Sequence, residues 1–473
     1  MRTAEKIHFV GIGGAGMSAI AVVLLAKGVR VSGSDLKESR NTRQLREMGA
    51  RVFIGHHPEN LGDAELVVVS SAVPERNREL QRARELGLEV IPRAAMLNMI
   101  LEEGKGVAVA GTHGKTTTTS MITMIMRKAG LDPTYVVGGE LNDIGSSAHA
   151  GKGEYVIAEA DESDGSFLLL KPWAEVITNV EQDHVDFFAD REETLRYFRR
   201  FVSLVPPQGM VVVSGDDPGA SSLRGHSAAE EITFGEGEAN DFKCRDIRLL
   251  EGGSEFAVCR RGQPLGTVRL RVPGKHNVRN AMAALAFTLS VGVEFEIAAE
   301  ALGTFRGVQR RFQLVDQVGG IKLVDDYAHH PSEVITTLET AALEGAERIV
   351  CLFQPHRYTR TAAFWKSFGE ALLRADMVIL TDVYAAGEDP LPGVNGKLIL
   401  NALLEADPHK QVVYIPKRSL LGRAAARFIR PGDLVLTMGA GDISQCAPEI
   451  ARILREEEEG ELFEGWGDLH VRC

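Results

Sequence analysis

Strand-length apolar runs alternate with helix-length segments along almost the whole chain, in three successive sets. The first set holds KIHFVG, VRVSGSD, RVFIG and ELVVVSSAVP. The second holds VAVAG, YVIAEA, AEVITNV and MVVVSGDD, followed by a β-rich excursion between about residues 231 and 272. The third holds IKLVDDYAHHP, RIVCLFQPH, MVILTDVY, QVVYIP and DLVLTMGAGD. Continuous Val, Ile and Leu runs suit strands covered on both faces, so the alternation predicts doubly wound, parallel sheets. At 473 residues the chain exceeds one ordinary core, and its length suits about three α/β domains. The polar stretch ILEEGKG (100–106) marks the first boundary, and the segment FRGVQRRFQLV precedes the third set.

Composition excludes several classes. A net charge of −12 argues against a general nucleic-acid surface or an acidic-membrane surface, so any phosphate site must be local. The five cysteines, at 244, 259, 351, 446 and 473, form no CxxC pair and no secreted-scaffold spacing, which points to a reducing cytoplasm without structural zinc. The apolar stretch IHFVGIGGAGMSAIAVVLLA is interrupted by Gly11, Gly13, Gly14 and Gly16 and reads as strand, loop and helix, not as an export signal or membrane span. The run REEEEGE near the end reads as a solvated face or frayed tail.

The chemistry concentrates at strand ends. GTHGKTT (111–117) lies between a strand and a helix, where backbone N–H groups point at an anion. Lys115 then serves the β- and γ-phosphates and Thr116 a magnesium ion. The spacing departs from the common phosphate-loop pattern, because Gly111 precedes Gly114 by three residues and not five. GIGGAG (11–16) meets the G-x-G-x-x-G pattern, with Asp35 after the next strand, and suits either NAD or a UDP-linked substrate. Glu159, Asp161, Glu162 and Asp164 end one strand, and Glu181, Asp183, His184 and Asp186 follow the next. Such oxygen-rich ends are natural magnesium sites, although His184 alone also suits a structural histidine. Asn277 and Asn280 stand three apart at a helix start, matching the donor and acceptor edge of adenine, or in the case of Asn277 an N-cap. Arg310, Arg311, His356, Arg357 and Arg360 gather cations and imidazole at the strand ends of the third set, suited to carboxylate or phosphate capture.

In order, GIGGAGMSAIA, GTHGKTTT, EADESDGSF, TNVEQDHVD, HNVRNA, RRF, DDYAHHP and QPHRYTRT closely resemble the Mur ligases, cytoplasmic enzymes of peptidoglycan precursor synthesis, from about residue 7 to about residue 443. The resemblance implies an N-terminal Rossmann-like domain for a UDP-sugar (1–103), a central P-loop ATPase-like domain with a mixed sheet (104–305) and a C-terminal Rossmann-like domain that closes over ATP and the amino acid (306–473). It implies an ATP-dependent ligase that joins L-alanine to the lactyl carboxylate of UDP-N-acetylmuramate through an acyl phosphate, with Mg²⁺ as cofactor.

The implied residues follow motif by motif. Gly11, Gly13, Gly14, Gly16, Asp35, Ser70 and Ser71 would meet the UDP-sugar. Gly111, Thr112, His113, Gly114, Lys115, Thr116, Thr117, Asn277, Asn280 and Arg310, or Arg311 in its place, would meet ATP, and Thr116, Glu159 and His184 the metal. Tyr327, His329, His356, Arg357 and Arg360 would line the amino-acid site, with His329 a candidate base; Lys115, Glu159, His184, Arg310 and His329 form the catalytic set. A ligase adding a ready-made tripeptide to the same UDP-sugar is the alternative inside the family. An NAD-dependent oxidoreductase, or a regulatory module that binds nucleotide without ligation, is the alternative outside it. Relatives that add later residues carry a carbamylated lysine about a dozen residues after the histidine matching His184. Here that helix, DREETLRYFRRF, holds arginines and no lysine. Monomer and homodimer both remain open.

Overall fold

The computed structural model describes residues 4–458. The first sheet contains β1 (Lys6–Val10), β2 (Arg30–Asp35), β3 (Arg51–Ile54), β4 (Leu66–Val69) and β5 (Glu89–Pro92), all parallel, in the order β3-β2-β1-β4-β5. Strand order reverses between β1 and β4. A crevice therefore opens at their carboxyl ends, where such sheets bind ligands. The glycine loop leaves β1 there, and Ser70 leaves β4, its N–H bonded to Val10 O at 3.1 Å.

The second sheet runs through β6 (Lys105–Ala110), β7 (Thr134–Leu141), β8 (Ser146–His149), β9 (Tyr155–Glu159), β10 (Ala174–Ile177), β11 (Met210–Ser214), β12 (Glu230–Gly235), β13 (Phe242–Leu250), β14 (Gly253–Arg260) and β15 (Gln263–Leu270). Its order is β15-β14-β13-β12-β11-β10-β6-β9-β7-β8, with β8, β14 and β15 antiparallel to their neighbours, so it is the expected mixed sheet. Strand β6 lies between β9 and β10, so the phosphate loop after β6 and the two acidic strand ends leave one edge side by side. Strands β7 and β8 escape the sequence reading, since TYVVGGEL breaks its apolar run with Gly138 and Gly139.

Helix Ala15–Ala26 is apolar on nearly every side because it packs between these two sheets: Met17, Ile20 and Val23 share one cluster with Phe9 of β1, Ala108 of β6 and Ala158 of β9. The opposite face of the second sheet is covered by helices Lys115–Lys128, Lys275–Ser290 and Phe295–Thr304. These parts form one compact unit through Gln309. The segment after the last of these helices stays with it, through Asn142 N–H to Gly307 O (3.3 Å) and Gln309 N–H to Glu140 O (3.1 Å).

The second unit begins at Arg310. Its sheet contains β16 (Gln313–Val318), β17 (Ile321–Asp326), β18 (Arg348–Phe353), β19 (Met377–Leu380), β20 (Gln411–Tyr414) and β21 (Asp433–Met438), ordered β16-β17-β21-β18-β19-β20, with only β16 antiparallel. Separate apolar clusters cover its two faces. The acidic run does not begin as a frayed end: the last helix, Cys446–Glu458, continues into it, and residues 459–473 lie outside the described residues. Cys244, Cys259, Cys351 and Cys446 are free thiols.

Candidate active site

The loop 111–117 is held in shape by residues that follow its neighbour strand β10. Gly111 and Gly114 have φ of +130° and +82°, and Gly114 caps helix Lys115–Lys128 in the left-handed region that side chains disfavour. Thr112 N–H bonds Asn179 O (3.0 Å), His113 N–H bonds Asn179 Oδ1 (2.9 Å), and Thr178 Oγ1 donates to His113 O (2.6 Å). Asn280 Oδ1 lies so close to Gly114 that a Cβ there would stand 2.4 Å from it. Asn280 therefore packs on the phosphate loop itself. The N-cap option for Asn277 fails, because Gly274 caps that helix; Asn277 instead donates to Pro273 O (2.7 Å) and accepts from Asn280 (3.3 Å).

Lys115 is half-buried and uses all its donors: Gly111 O at 2.6 Å, Thr112 O at 3.2 Å and Glu162 Oε1 at 2.9 Å. Burial works against its charge, but Glu162, Glu159 and Asp161 outweigh it and hold the lysine above its ordinary pKa. For Glu162 burial wins, pushing the carboxyl up to about 7 despite Lys115. Asp161 has the opposite balance: burial raises it, yet Arg93 and Lys115 hold it below the usual range.

The metal-site expectation has a testable geometry. Thr116 Oγ1 lies 2.9 Å and 3.1 Å from the two oxygens of Glu159, and Gly138 N–H fixes that carboxylate at 2.9 Å. Adjacent ligands on an octahedral magnesium, with bonds near 2.1 Å, stand about 3.0 Å apart, so this hydroxyl and carboxylate fit such an ion. His184, in the left-handed region at φ +51°, reaches Glu162 Oε1 and Asp183 Oδ2, each at 3.7 Å. It joins the loop through Glu162, the partner of Lys115.

At the first sheet, Gly11 and Ile12 N–H groups bond Ser34 O (2.8 and 3.0 Å), and Gly13 N–H bonds Asp35 Oδ2 (2.8 Å). Asp35 thus turns one oxygen back to shape the loop. Gly16 accommodates Arg93, whose Nη1 would lie 3.0 Å from a Cβ there; Arg93 Nη2 reaches Asp161 Oδ2 at 3.1 Å. Gly14 caps helix Ala15–Ala26, and Ser71 is exposed in the turn after β4.

Within the second unit, Tyr327, His329 and His356 lie in sequence of contact, with ring centroids 5.2 and 5.8 Å apart. Arg360 Nη1 is 3.3 Å from His356 Nδ1, and Arg357 has φ +67°. Arg310, at φ +60°, pairs with Asp325 (2.9 Å), donates to Gly439 O (2.6 Å) and lies over the Tyr327 ring. Arg311 lies 3.5 Å from Glu333. Sequence reasoning missed Arg93, Asn179 and Gly138. Their contacts are with partners 68, 66 and 21 residues away respectively, which no local pattern announces.

A half-buried lysine in a glycine loop that opens a helix, with acidic strand ends beside it and a second glycine loop on an adjoining sheet, defines an α/β protein with the build of a nucleotide-using enzyme. Comparison with known sequences agrees over almost the whole length: residues 6–105 match the Mur ligase family, catalytic domain; 109–288 match the Mur ligase middle domain; and 310–441 match the Mur ligase, glutamate ligase domain. The chain belongs to the Mur ligase family. It is 48% identical over 456 residues to a UDP-N-acetylmuramate–L-alanine ligase of Pelotomaculum thermopropionicum, covering 96% of this chain and 99% of that one. It is also 48% identical over 451 residues to the protein of the same name from Rubrobacter xylanophilus, covering 94% and 99%. Among solved structures it resembles the UDP-N-acetylmuramate-alanine ligase of Thermotoga maritima, with TM-score 0.82, 31% identity and coverage of 96% and 99%.

Proposed function

We propose that this chain joins L-alanine to the lactyl carboxylate of UDP-N-acetylmuramate, consuming ATP and releasing ADP and phosphate, in peptidoglycan precursor synthesis. The observation that carries the reading is the pair of half-buried Lys115, at the end of the Gly111–Gly114 loop, with buried Glu162, beside the Thr116–Glu159 oxygens, in a chain similar over nearly its full length to ligases of that name. The three segments 1–103, 104–305 and 306–473 would serve the UDP-sugar, ATP and the amino acid respectively.

A carboxylate is a poor electrophile. Transfer of the γ-phosphoryl group to the lactyl oxygen gives an acyl phosphate, and attack by the alanine amine through a tetrahedral intermediate expels phosphate. Both steps bring anions together, so charge neutralisation by fixed groups should carry most of the rate. Lys115, displaced from Glu162 by a phosphate, supplies one such charge, and the loop N–H groups supply partial charges without reorganisation. Thr116, Glu159 and His184 would hold Mg²⁺, which when bound supplies further neutralisation of the phosphate oxygens. Asn277 and Asn280 would meet adenine, with Asn280 also bracing Gly114. Gly11, Gly13, Gly14 and Gly16 would approach the UDP diphosphate, with Asp35, Ser70 and Ser71 beside it. Arg310 would serve phosphate. Tyr327, His329, His356, Arg357 and Arg360 would receive the amino acid, with His329 the candidate base. Among the described residues no helix is long and apolar enough to cross a membrane, in keeping with the cytoplasmic setting the cysteine usage suggests.

ADP release across a panel of amino acids and UDP-sugars tests the proposal. UDP-N-acetylmuramate with L-alanine should support turnover. Turnover only with a tripeptide would favour the recycling ligase, and NADH binding without ADP release would favour the oxidoreductase.

A further inference from the structure

The helix Tyr358–Leu372 begins immediately after Arg357, in the segment read as the amino-acid site. A helix start presents unsatisfied backbone N–H groups and attracts anions, so this is where an incoming α-carboxylate would ordinarily be received. Here the chain's own carboxylate fills that place. Glu388, from the loop after the neighbouring strand β19, accepts Tyr358 N–H at 2.6 Å and Thr359 N–H at 3.1 Å through Oε2, and Thr359 Oγ1 at 2.6 Å through Oε1.

The same loop fixes the residue before the helix. Tyr384 O accepts Arg357 N–H at 2.9 Å, Tyr384 N–H bonds Pro355 O at 2.8 Å, and the His356 and Tyr384 rings stack at 5.7 Å with an interplanar angle of 11°. Arg357 itself is in the left-handed region, at φ +67°, a conformation a β-carbon resists unless its surroundings over-determine it. Bonds on both sides of Arg357 supply that constraint. Its own N–H is held by Tyr384, and the next two N–H groups are held by Glu388.

We propose that Glu388 is a positioning residue of the amino-acid subsite: it occupies the helix N-terminus in place of a substrate carboxylate and locks the strained Arg357 turn, leaving the substrate carboxylate to the Arg357 and Arg360 guanidinium groups. The inference rests on the reading of those two arginines as the receivers of the amino acid.

The test is steady-state kinetics of Glu388→Ala, Glu388→Gln and Arg360→Ala, with KM measured separately for L-alanine, ATP and UDP-N-acetylmuramate, and with sodium formate titrated into each. Glu388→Ala should raise KM for L-alanine about tenfold, the effect of losing a helix cap of about 1.4 kcal/mol. The other two KM values and kcat should stay within about twofold, as for loss of a contact shared by ground and transition states. Formate, by refilling the helix N-terminus, should recover much of the loss in Glu388→Ala and do nothing for the wild type or Arg360→Ala. Glu388→Gln, which keeps one acceptor oxygen, should fall between. An unchanged KM for L-alanine in Glu388→Ala overturns the inference. If Arg360→Ala raises that KM in the same series, only the role of Glu388 falls; if it does not, the subsite reading falls with it. A general loss of kcat and of all three affinities, without formate rescue, would mark Glu388 as merely structural and also overturn the proposal.

Discussion

Replacing Lys115 by Met keeps the side-chain stem and removes the charge, and the cost to folding is separable from the cost to catalysis. The ammonium makes three hydrogen bonds, and its partner Glu162 is only 2% exposed, with Oε2 bonded to no group among the described residues. Removing one member of a buried ion pair costs about 3–5 kcal/mol when the other stays charged. Glu162 already titrates at about 7, however, because burial raises it, and losing Lys115 raises it further. Below its folded pKa the variant keeps Glu162 protonated, and the penalty reduces to that of a poorly partnered neutral carboxyl, about 1–3 kcal/mol. The folded state binds the proton more tightly than the unfolded chain, so this stability is present at low pH and is lost as pH rises from 4.5 through the folded value. Lys115→Met should therefore lower the unfolding midpoint more at pH 8 than at pH 6. Lys115→Met with Glu162→Gln should recover most of the loss at both pH values, and neither variant should turn over. The assay is thermal unfolding at the two pH values beside ADP release. A double variant as unstable as Lys115→Met at pH 8, or a penalty independent of pH, would refute the reasoning.

Two further outcomes follow from the site. Gly114→Ala should cut turnover by about a hundredfold or more, because the new Cβ would lie 2.4 Å from Asn280 Oδ1 at φ +82° and must displace the phosphate loop; binding of UDP-N-acetylmuramate, followed by calorimetry, should be unaffected. Exhaustive removal of carbon dioxide should leave ADP release unchanged at every magnesium concentration, because helix Arg191–Val202 offers arginines and no lysine for a carbamate; a loss restored by bicarbonate would show that a lysine elsewhere serves the metal.

The parts of this architecture legible in the sequence are those whose physics is local. Apolar runs such as VAVAG and MVVVS, bounded by glycine and turn residues, read as buried strands, and GTHGKTT carries in its own glycines and helix start the local signal of an anion cradle, although Thr178 and Asn179 hold its shape. What stayed hidden depends on long-range partners. The apolar run of strand β7 is interrupted by Gly138, where a Cβ would stand 2.5 Å from Glu159, a constraint no reading of TYVVGGEL contains. Likewise Asn179 looks like any residue after a strand until the phosphate loop folds against it, and Glu388 looks like a surface acid until the helix from Tyr358 starts beside it. Asp35 stands out in the sequence as a candidate, and its bond to Gly13 N–H gives it a loop-shaping contact that the motif alone leaves open.

The central claim is activation of the lactyl carboxylate by phosphoryl transfer before the amine attacks. It is tested most directly by placing oxygen-18 in the carboxylate of UDP-N-acetylmuramate, running one round of ligation with ATP and L-alanine, and measuring the mass of the released phosphate. An acyl phosphate carries one carboxylate oxygen away with the leaving group, so the account predicts phosphate bearing one oxygen-18. Unlabelled phosphate, with product still formed and ADP still released, would contradict it.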